Sequence, residues 1–297
     1  MNPVDHIKSL SSCDLCGADS RGWTCVATGE QTLLGVAIPI STVVCNQCRF
    51  VFQPERFSDE LIVALYRPDT SFDFGQTGQD RPQIPAGLAE RQAVISAALG
   101  AHNVRANAHV LDVGGGRGEC CQHLVDQHRV VVADATECIP VDPRIEKVLG
   151  LFSADLNQVT FDVVVMNHVL EHVFSPTAFL DSASRVMRNE GVLIVEVPFE
   201  LYTPLVARRL GDWRHVSYFS RATLRQYLEK SGFAVTRLVL EEGCYGARRL
   251  PVIRAVARRV PTSIVSRQIR NSPLAFAVDM LAPGTLISLA KSRLARQ

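Results

Sequence analysis

The sequence has no run of about 20 consecutive apolar residues, the length that a membrane-spanning helix requires. Its first residues, MNPVDHIKSLSSCDLC, contain no apolar core of the length found in signal peptides. The net charge of +1 provides no general attraction to nucleic acid. We therefore expect a cytoplasmic protein without a transmembrane segment. The hydrophobic fraction of 47% and the charged fraction of 21% are typical of a globular protein.

Composition divides the 297 residues into four regions. Residues 1–67 hold five of the nine cysteines, and residues 68–87 are rich in Gly, Pro, Asp and Gln, which predicts a linker. Residues 88–259 alternate helical and strand patterns, which predicts an α/β domain. Residues 260–297 are interpreted as a basic helical extension. The predicted helices are 88–100, 120–128, a segment containing 168–172, 176–188 and 220–232. The predicted strands are 24–30, 36–45, 109–113, 129–134, 161–167, 191–198, 233–240 and 252–259.

Four cysteines form two C-x2-C pairs separated by 28 residues: Cys13, Cys16, Cys45 and Cys48. Four thiolates satisfy a closed tetrahedral zinc site, and each C-x2-C turn presents both sulfurs to one ion. With the two predicted strands between the pairs, this spacing indicates a zinc-ribbon hairpin with a structural zinc. Disulfides are the alternative, and a reducing compartment disfavours them. Cys25 is interpreted as a buried side chain rather than a ligand.

A glycine-rich loop follows the first strand of the α/β region, in the string VLDVGGGRG. Gly114 and Gly116 allow the backbone to turn sharply and to approach a bound nucleoside. The spacing is G-x-G-x-G rather than the G-x-G-x-x-G that serves a pyrophosphate. Asp112 precedes the first glycine by two residues, and its carboxylate suits a cationic ligand that carries an amino acid.

This loop resembles the first motif of the class I S-adenosylmethionine-dependent methyltransferases, and the resemblance extends over six segments in the family's order. It implies a Rossmann-like, doubly wound and mostly parallel sheet that binds S-adenosylmethionine. By the same resemblance, Asp134 binds the ribose hydroxyls, Asp155 lies near the adenine amine and Asn167 belongs to the cofactor pocket. The segment from Cys45 to Phe72 is similar to the zinc-binding domain that precedes the nucleotide-sugar C-methyltransferases.

Histidines provide the candidate catalytic groups. His215, in RHVSYFS, matches the residue that removes a proton next to the keto group in the sugar C-methyltransferases, and His172 is placed near the acceptor. The chain departs from that family, because the tyrosine and glutamate before this histidine are absent and only 57 residues follow Leu240. O-methylation of a sugar or another small polar acceptor is an equal alternative. A loop-fixing role for His215 also remains open.

The string His168-Val169-Leu170-Glu171-His172 also matches H-x-x-E-H, the inverted zinc-peptidase motif. A peptidase needs a third ligand and another fold, so we interpret the string as a wall of the cofactor pocket. An RNA methyltransferase and a non-catalytic cofactor-binding protein are further alternatives, although residues 1–67 lack clustered Lys and Arg. From Arg248 to Gln297, ten basic residues face one acid, Asp279, which allows contact with a membrane surface or a protein partner.

Overall fold

The computed structural model describes residues 2–66, 87–152, 160–201, 213–245 and 248–261. The predicted linker (except Gly87), Asp155 and residues 262–297 of the predicted extension lie outside them. The helices are α1 (Asp59–Tyr66), α2 (Leu88–Ala101), α3 (Pro176–Val186) and α4 (Arg221–Lys230). The first strands are β1 (Ile7–Ser9), β2 (Trp23–Leu33), β3 (Val36–Cys45), β4 (Val51–Phe52) and β5 (Glu55–Phe57). The later strands are β6 (His109–Val113), β7 (Arg129–Asp134), β8 (Glu146–Leu149), β9 (Phe161–Asn167), β10 (Met187–Pro198), β11 (Ser217–Tyr218), β12 (Phe233–Tyr245) and β13 (Arg248–Arg259).

The main sheet has seven strands in the order β12-β13-β10-β9-β6-β7-β8. The five strands from β10 to β8 are parallel, and β13 runs antiparallel to both β10 and β12. Strand β9 is almost entirely buried because helices cover both faces of the sheet, which explains its continuous apolar run. Ile95 of α2 packs on one face, whereas Leu180 of α3 and Leu224 of α4 pack on the other. The predicted doubly wound, mostly parallel α/β fold is confirmed.

The N-terminal residues form a smaller sheet of four strands in the order β11-β4-β3-β2. Its strand β11 follows the main-sheet strand β10 in the chain and pairs with β4 of the N-terminal region. Phe50 and Phe52 belong to the same hydrophobic cluster as Tyr227 of α4 and Leu193 of β10. The N-terminal region therefore shares its core with one face of the main sheet.

Ser220 caps α4 as the sequence predicts, because its hydroxyl accepts a hydrogen bond from the backbone of Thr223 and forms a capping box with it. Three local predictions are wrong. Residues 120–128 form turns and a single short 3-10 helix instead of an α-helix. Gly100 does not end α2, which continues to Ala101 and is followed by a left-handed residue, Asn103, with φ of 51°.

The segment 168–172 is the third correction, because it is a turn and not a helix. The backbone of His168 is left-handed, with φ of 55°, and its N–H donates to the carbonyl of Glu196 on β10. A hydrogen bond to a neighbouring strand therefore replaces the helical pattern. Among the residues that the structure describes, no helix is long and apolar enough to cross a membrane.

Candidate active site

A cleft of about 610 Å³ opens at the carboxyl ends of β6, β7 and β9. Gly114, Asp134 and Asn167 line it from the main sheet, and Arg56 of the N-terminal region and Trp213 also line it. Open parallel sheets bind ligands at this edge because the loops after the strands converge there. The cleft therefore contains three of the residues that the sequence assigns to the cofactor.

The glycine loop can occupy this edge only without side chains at two positions. A Cβ atom on Gly114, whose φ is 64°, would lie 2.6 Å from a methyl carbon of Val169. A Cβ atom on Gly115 would lie 2.4 Å from the carboxyl carbon of Asp112. A Cβ atom on Gly116, whose φ is 56°, would have no atom within 4 Å. The loop is thus packed against its supports at two glycines and open at the third.

Asp134 ties this loop to the end of β7. One carboxylate oxygen accepts from the backbone N–H of Gly116 at 2.7 Å, and the other accepts from the backbone and the hydroxyl of Thr136, both at 2.7 Å. The side chain remains on the wall of the cleft. Asp134 therefore holds the loop and also presents a carboxylate to a ligand.

Asp112 lies beneath the loop and does not line the cleft. It is buried, and within the described part of the chain its Oδ2 atom has no hydrogen-bond partner. The pKa of Asp112 is raised to about 7, mainly by burial. The hydrogen bond with Cys121 opposes this shift, and the charges of Asp134 and Glu119 add to it. A cation bound in the cleft would favour the ionised form of Asp112.

Asn167 ends β9 at the wall of the cleft, and its Nδ2 atom is buried without a hydrogen-bond acceptor among the described residues. An unsatisfied buried donor at a ligand-binding edge is a position for a ligand's acceptor group. The orphaned polar atoms of Asp112 and Asn167, with the carboxylate of Asp134, fit a ligand that is cationic at one end and carries hydroxyls. The residues present therefore fit S-adenosylmethionine.

His168 occupies the turn after β9, with its ring between two buried carboxylates. Nδ1 lies 3.2 Å from Glu171 and Nε2 lies 2.9 Å from Glu196. Burial alone would lower the pKa of His168, but the hydrogen bonds and charges of Glu171 and Glu196 outweigh it and raise the pKa to about 9. Glu196 also pairs with Arg91 at 2.8 Å and with Arg254 at 2.5 Å. His168 is therefore a structural cation that links the turn to β10.

His172 and His215 lie next to each other, with ring centroids 4.7 Å apart. His172 lines the cleft, and its Nδ1 atom donates to the carbonyl of Arg214 at 2.7 Å. Burial lowers the pKa of His172, and His215 lowers it further, although Glu171 opposes both. Nδ1 of His215 donates to the carboxylate of Glu200 at 2.8 Å. The structure brings the two predicted catalytic histidines together, with His172 nearer the cleft.

Glu200 and Glu171 are site residues that the sequence reasoning missed. Glu200 follows β10 and is mostly buried, and no spacing rule connects it to a histidine 15 residues later. Glu171 lies inside the H-x-x-E-H string, and this string is the signal that could have singled it out. Burial alone would raise the pKa of Glu171, but His172, His168 and His215 together lower it to about 2.

The four cysteine sulfurs of the two knuckles all lie within 4.8 Å of one another. Cys13 and Cys48 are 3.6 Å apart and Cys16 and Cys45 are 3.5 Å apart, measured between Sγ atoms. A tetrahedral site with Zn–S bonds of about 2.3 Å places its sulfurs about 3.8 Å apart. The geometry therefore fits a closed site for one zinc ion. Cys25 is not part of this cluster, but the prediction that it is buried is wrong, because its side chain is exposed.

The first cysteine knuckle contacts the wall of the cleft through Asp14. The carboxylate of Asp14 accepts from the hydroxyl of Ser175 at 2.6 Å and from the backbone of Thr177 at 3.0 Å, at the start of α3. Lys230 of α4 donates to the carbonyls of Asp14 and Leu15 at 2.8 and 3.1 Å. The knuckle thus supports the segment that carries Ser175 into the cleft.

Arg56 connects the N-terminal region to the same wall. Its side chain is buried and donates to the backbone carbonyls of Gln53, Val173, Phe174 and Val216. Burial lowers the pKa of Arg56, since taking a charged group out of water disfavours the charged form. These bonds connect the loop before α3 to the residue that follows His215.

The fold and the cleft define a nucleoside-binding α/β protein with a glycine loop. The sequence profile of a family described as "Methyltransferase domain" matches residues 88–238. The chain therefore belongs to the class I S-adenosylmethionine-dependent methyltransferase family.

Two similar proteins bear on this assignment. A Mycolicibacterium smegmatis protein named "Probable S-adenosylmethionine-dependent methyltransferase" is 30% identical over 138 residues, or 44% of this chain. The chain spans about half the length of that relative, 53%. The structure of the Burkholderia thailandensis 1,6-didemethyltoxoflavin-N1-methyltransferase, with bound 1,6-didemethyltoxoflavin and S-adenosylhomocysteine, is 18% identical. It aligns with a TM-score of 0.50 over 80% of this chain and 100% of its own, which shows a shared fold.

Proposed function

We propose that the chain transfers a methyl group from S-adenosylmethionine to a small polar acceptor. The observation that supports this most strongly is the arrangement of one cleft. Asp134, Asn167 and Gly114 line it at the sheet edge, with Asp112 beneath the loop, and His172, whose ring contacts that of His215, also lines it. Groups suited to the cofactor and His172, with His215 next to it, thus lie at one cleft.

The donor already carries an electrophilic methyl group, so the protein must align a nucleophile with it and remove a proton. His215 is the proposed general base, because Glu200 holds its Nδ1 proton and orients the ring. His172 is proposed to contact the acceptor. Asp134 is proposed to bind the ribose hydroxyls of the donor, with Gly114, Gly116 and Asn167 around it, and Asp155 near the adenine.

The acceptor is proposed to be a sugar or a nucleotide-linked sugar that is methylated on carbon or oxygen. Trp213 and Phe57, which pack edge-to-face at 5.6 Å, supply aromatic surface to the cleft, and Arg56 and Asp59 supply polar groups. Sugars use both kinds of contact. Cys13, Cys16, Cys45 and Cys48 are proposed to hold a structural zinc ion in an N-terminal module of residues 1–67, beside a methyltransferase domain of residues 88–259.

The experiment measures transfer of labelled methyl groups from S-adenosylmethionine to a panel of nucleotide-linked sugars, with RNA as a comparison. In the variants His215→Ala and His215→Gln we expect turnover to fall by about 10²–10⁴-fold while cofactor affinity is retained. The exposed His123, which bonds Ser96 far from the cleft, provides the control His123→Gln. Retention of more than about a tenth of turnover in both His215 variants would show that His215 is not the base.

A further inference from the structure

We propose that Glu171, His172 and His215 form a second metal site, which binds a divalent transition-metal ion at the acceptor side of the cleft. One ligand atom from each residue lies within 4.8 Å of the others. Two of the three belong to the H-x-x-E-H string, and the third comes from 43 residues later in the chain. The turn at residues 168–172 therefore pairs the glutamate with its neighbouring histidine and with a distant one.

The two imidazole rings are held as metal-binding histidines usually are. Nδ1 of His172 donates to the backbone carbonyl of Arg214 at 2.7 Å, and Nδ1 of His215 donates to Glu200 at 2.8 Å. Outer hydrogen bonds of this kind select the tautomer and orient the ring, and they raise the basicity of the other nitrogen. The remaining ring nitrogen of His172 is Nε2, which lies 3.7 Å from Oε1 of Glu171 and would bind the ion. His215 offers one ring nitrogen within 4.8 Å of the other two ligand atoms.

Glu171 supplies a buried acceptor that no proton donor satisfies. Its side chain is only 1% exposed, and its Oε2 atom has no hydrogen-bond partner in the described ranges. Burying an acceptor without a partner costs about 1–3 kcal/mol, and more when it is charged. A cation bound to Glu171 would remove that cost.

The distance between Glu171 and His172 also fits an ion better than a direct contact. Nε2 of His172 lies 3.7 Å from Oε1 of Glu171, which is too long for a hydrogen bond. Two ligands that each lie about 2.1 Å from a tetrahedral ion are about 3.4 Å apart. The spacing of this carboxylate and this ring is therefore close to that of two ligands of one ion, and His215 offers the third ligand atom within 4.8 Å.

The donor set defines the ion and its chemistry. Two imidazoles and one carboxylate suit Zn²⁺, Mn²⁺ or Fe²⁺, and three protein ligands leave a position open for a further oxygen. Because His172 lines the cleft, a molecule bound in the cleft would have access to that position.

The catalytic use of the ion rests on the proposed function, although its binding does not. An acceptor hydroxyl bound to the ion loses its proton to water in the cleft, because the metal lowers the pKa of the hydroxyl. The resulting oxyanion attacks the methyl carbon of the sulfonium. A C–O bond forms, the S–CH₃ bond breaks, and its electron pair stays on sulfur in S-adenosylhomocysteine. The methyl transfer is the same with and without the ion, but the proton acceptor differs. With the ion bound, His215 is a ligand and water takes the proton, whereas in the metal-free chain His215 is the base.

The test is a Co²⁺ titration of the full chain after removal of its metals, followed by absorption spectroscopy. Ions in the cysteine cluster give intense thiolate-to-metal charge-transfer bands, whereas ions bound by nitrogen and oxygen give only weak d–d bands. We expect two equivalents in the wild type, one of each kind. Glu171→Gln and His172→Gln should lose the equivalent without charge transfer and keep the other, which reports that the variant has folded. Glu200→Gln should weaken that equivalent by about 10–100-fold.

The control His123→Gln should bind both equivalents. A wild type that shows only the thiolate bands, or variants that still bind the nitrogen–oxygen equivalent, would overturn the proposed metal site. Cofactor binding is measured separately by calorimetry with S-adenosylhomocysteine. If Co²⁺ binds as expected and S-adenosylhomocysteine does not, the proposed function fails and the metal site stands. The reverse result removes the metal site and leaves His215 as an unligated base.

Discussion

Replacing Asp112 by asparagine should stabilise the ligand-free protein at alkaline pH. Because burial raises the pKa of this carboxyl from 3.8 to about 7, the folded state holds a proton that the unfolded state releases between these values. The free energy of unfolding contributed by Asp112 therefore falls as the pH rises through this window. Three pKa units correspond to about 4 kcal/mol, and the part between pH 5 and pH 7 corresponds to about 3 kcal/mol. The amide side chain of the Asp112→Asn variant does not titrate, so the variant would avoid this loss.

Urea denaturation followed by circular dichroism at pH 5 and pH 8 measures this effect. The stability difference between Asp112→Asn and the wild type should shift in favour of the variant by about 3 kcal/mol over this range, with unchanged m-values. Asp126→Asn, at a side chain that is 79% exposed, is the control and should show little shift. A stability difference that is the same at both pH values would refute the buried, protonated carboxyl.

Asp112→Asn should also remove a pH dependence of cofactor affinity. The sulfonium cation of S-adenosylmethionine favours the ionised carboxyl, so wild-type affinity should rise between pH 6 and pH 8. Calorimetry at these two pH values should show the rise in the wild type and a smaller one in the variant. Equal pH dependence in both proteins would show that the ionisation of Asp112 does not affect cofactor affinity.

Two further perturbations test the N-terminal region. Cys13→Ser should remove about one metal equivalent, lower the melting temperature and weaken cofactor binding, because the knuckle holds Asp14 against Ser175 and α3. The control Cys25→Ser, at an exposed cysteine, should change none of these properties. An unchanged metal content in Cys13→Ser would contradict the zinc site. Arg56→Ala should lower the free energy of unfolding by about 3 kcal/mol or more, because it leaves buried carbonyls without donors, whereas Arg21→Ala, at a side chain that is 90% exposed, should cost little. Urea denaturation measures both arginine variants, and equal losses would contradict the bridging role of Arg56.

The features that the sequence predicts well depend on neighbouring residues. The residues around Gly114 identify it as a glycine with a left-handed backbone, and the strand pattern before Asp134 identifies it as an acid at the end of a strand. The C-x2-C spacing predicts that the two cysteines of each knuckle lie close together, because each knuckle is four residues long, and the structure brings all four sulfurs together. The capping bond of Ser220 is likewise local, because its partner Thr223 is three residues away.

The features that the sequence does not predict depend on distant partners. Glu200 orients His215, Arg56 reaches Val216, and His168 bridges to Glu196, and no local pattern encodes these pairs. The turn at residues 168–172 shows the same limit, since a hydrogen bond to β10 and a left-handed residue override its helical propensity. Tertiary contacts therefore determine the surroundings of His172 and His215, whereas local sequence determines the glycine loop and the position of Asp134.

The most direct test of the account is a calorimetric titration of the wild-type chain and of Asp134→Ala with S-adenosylhomocysteine. The account predicts binding of one molecule per chain to the wild type. It predicts much weaker binding to the variant, because the variant loses both the ribose contacts and the bond to Gly116 that holds the loop. No binding to the wild type, or equal binding to both proteins, would contradict the assignment of this cleft to the methyl donor.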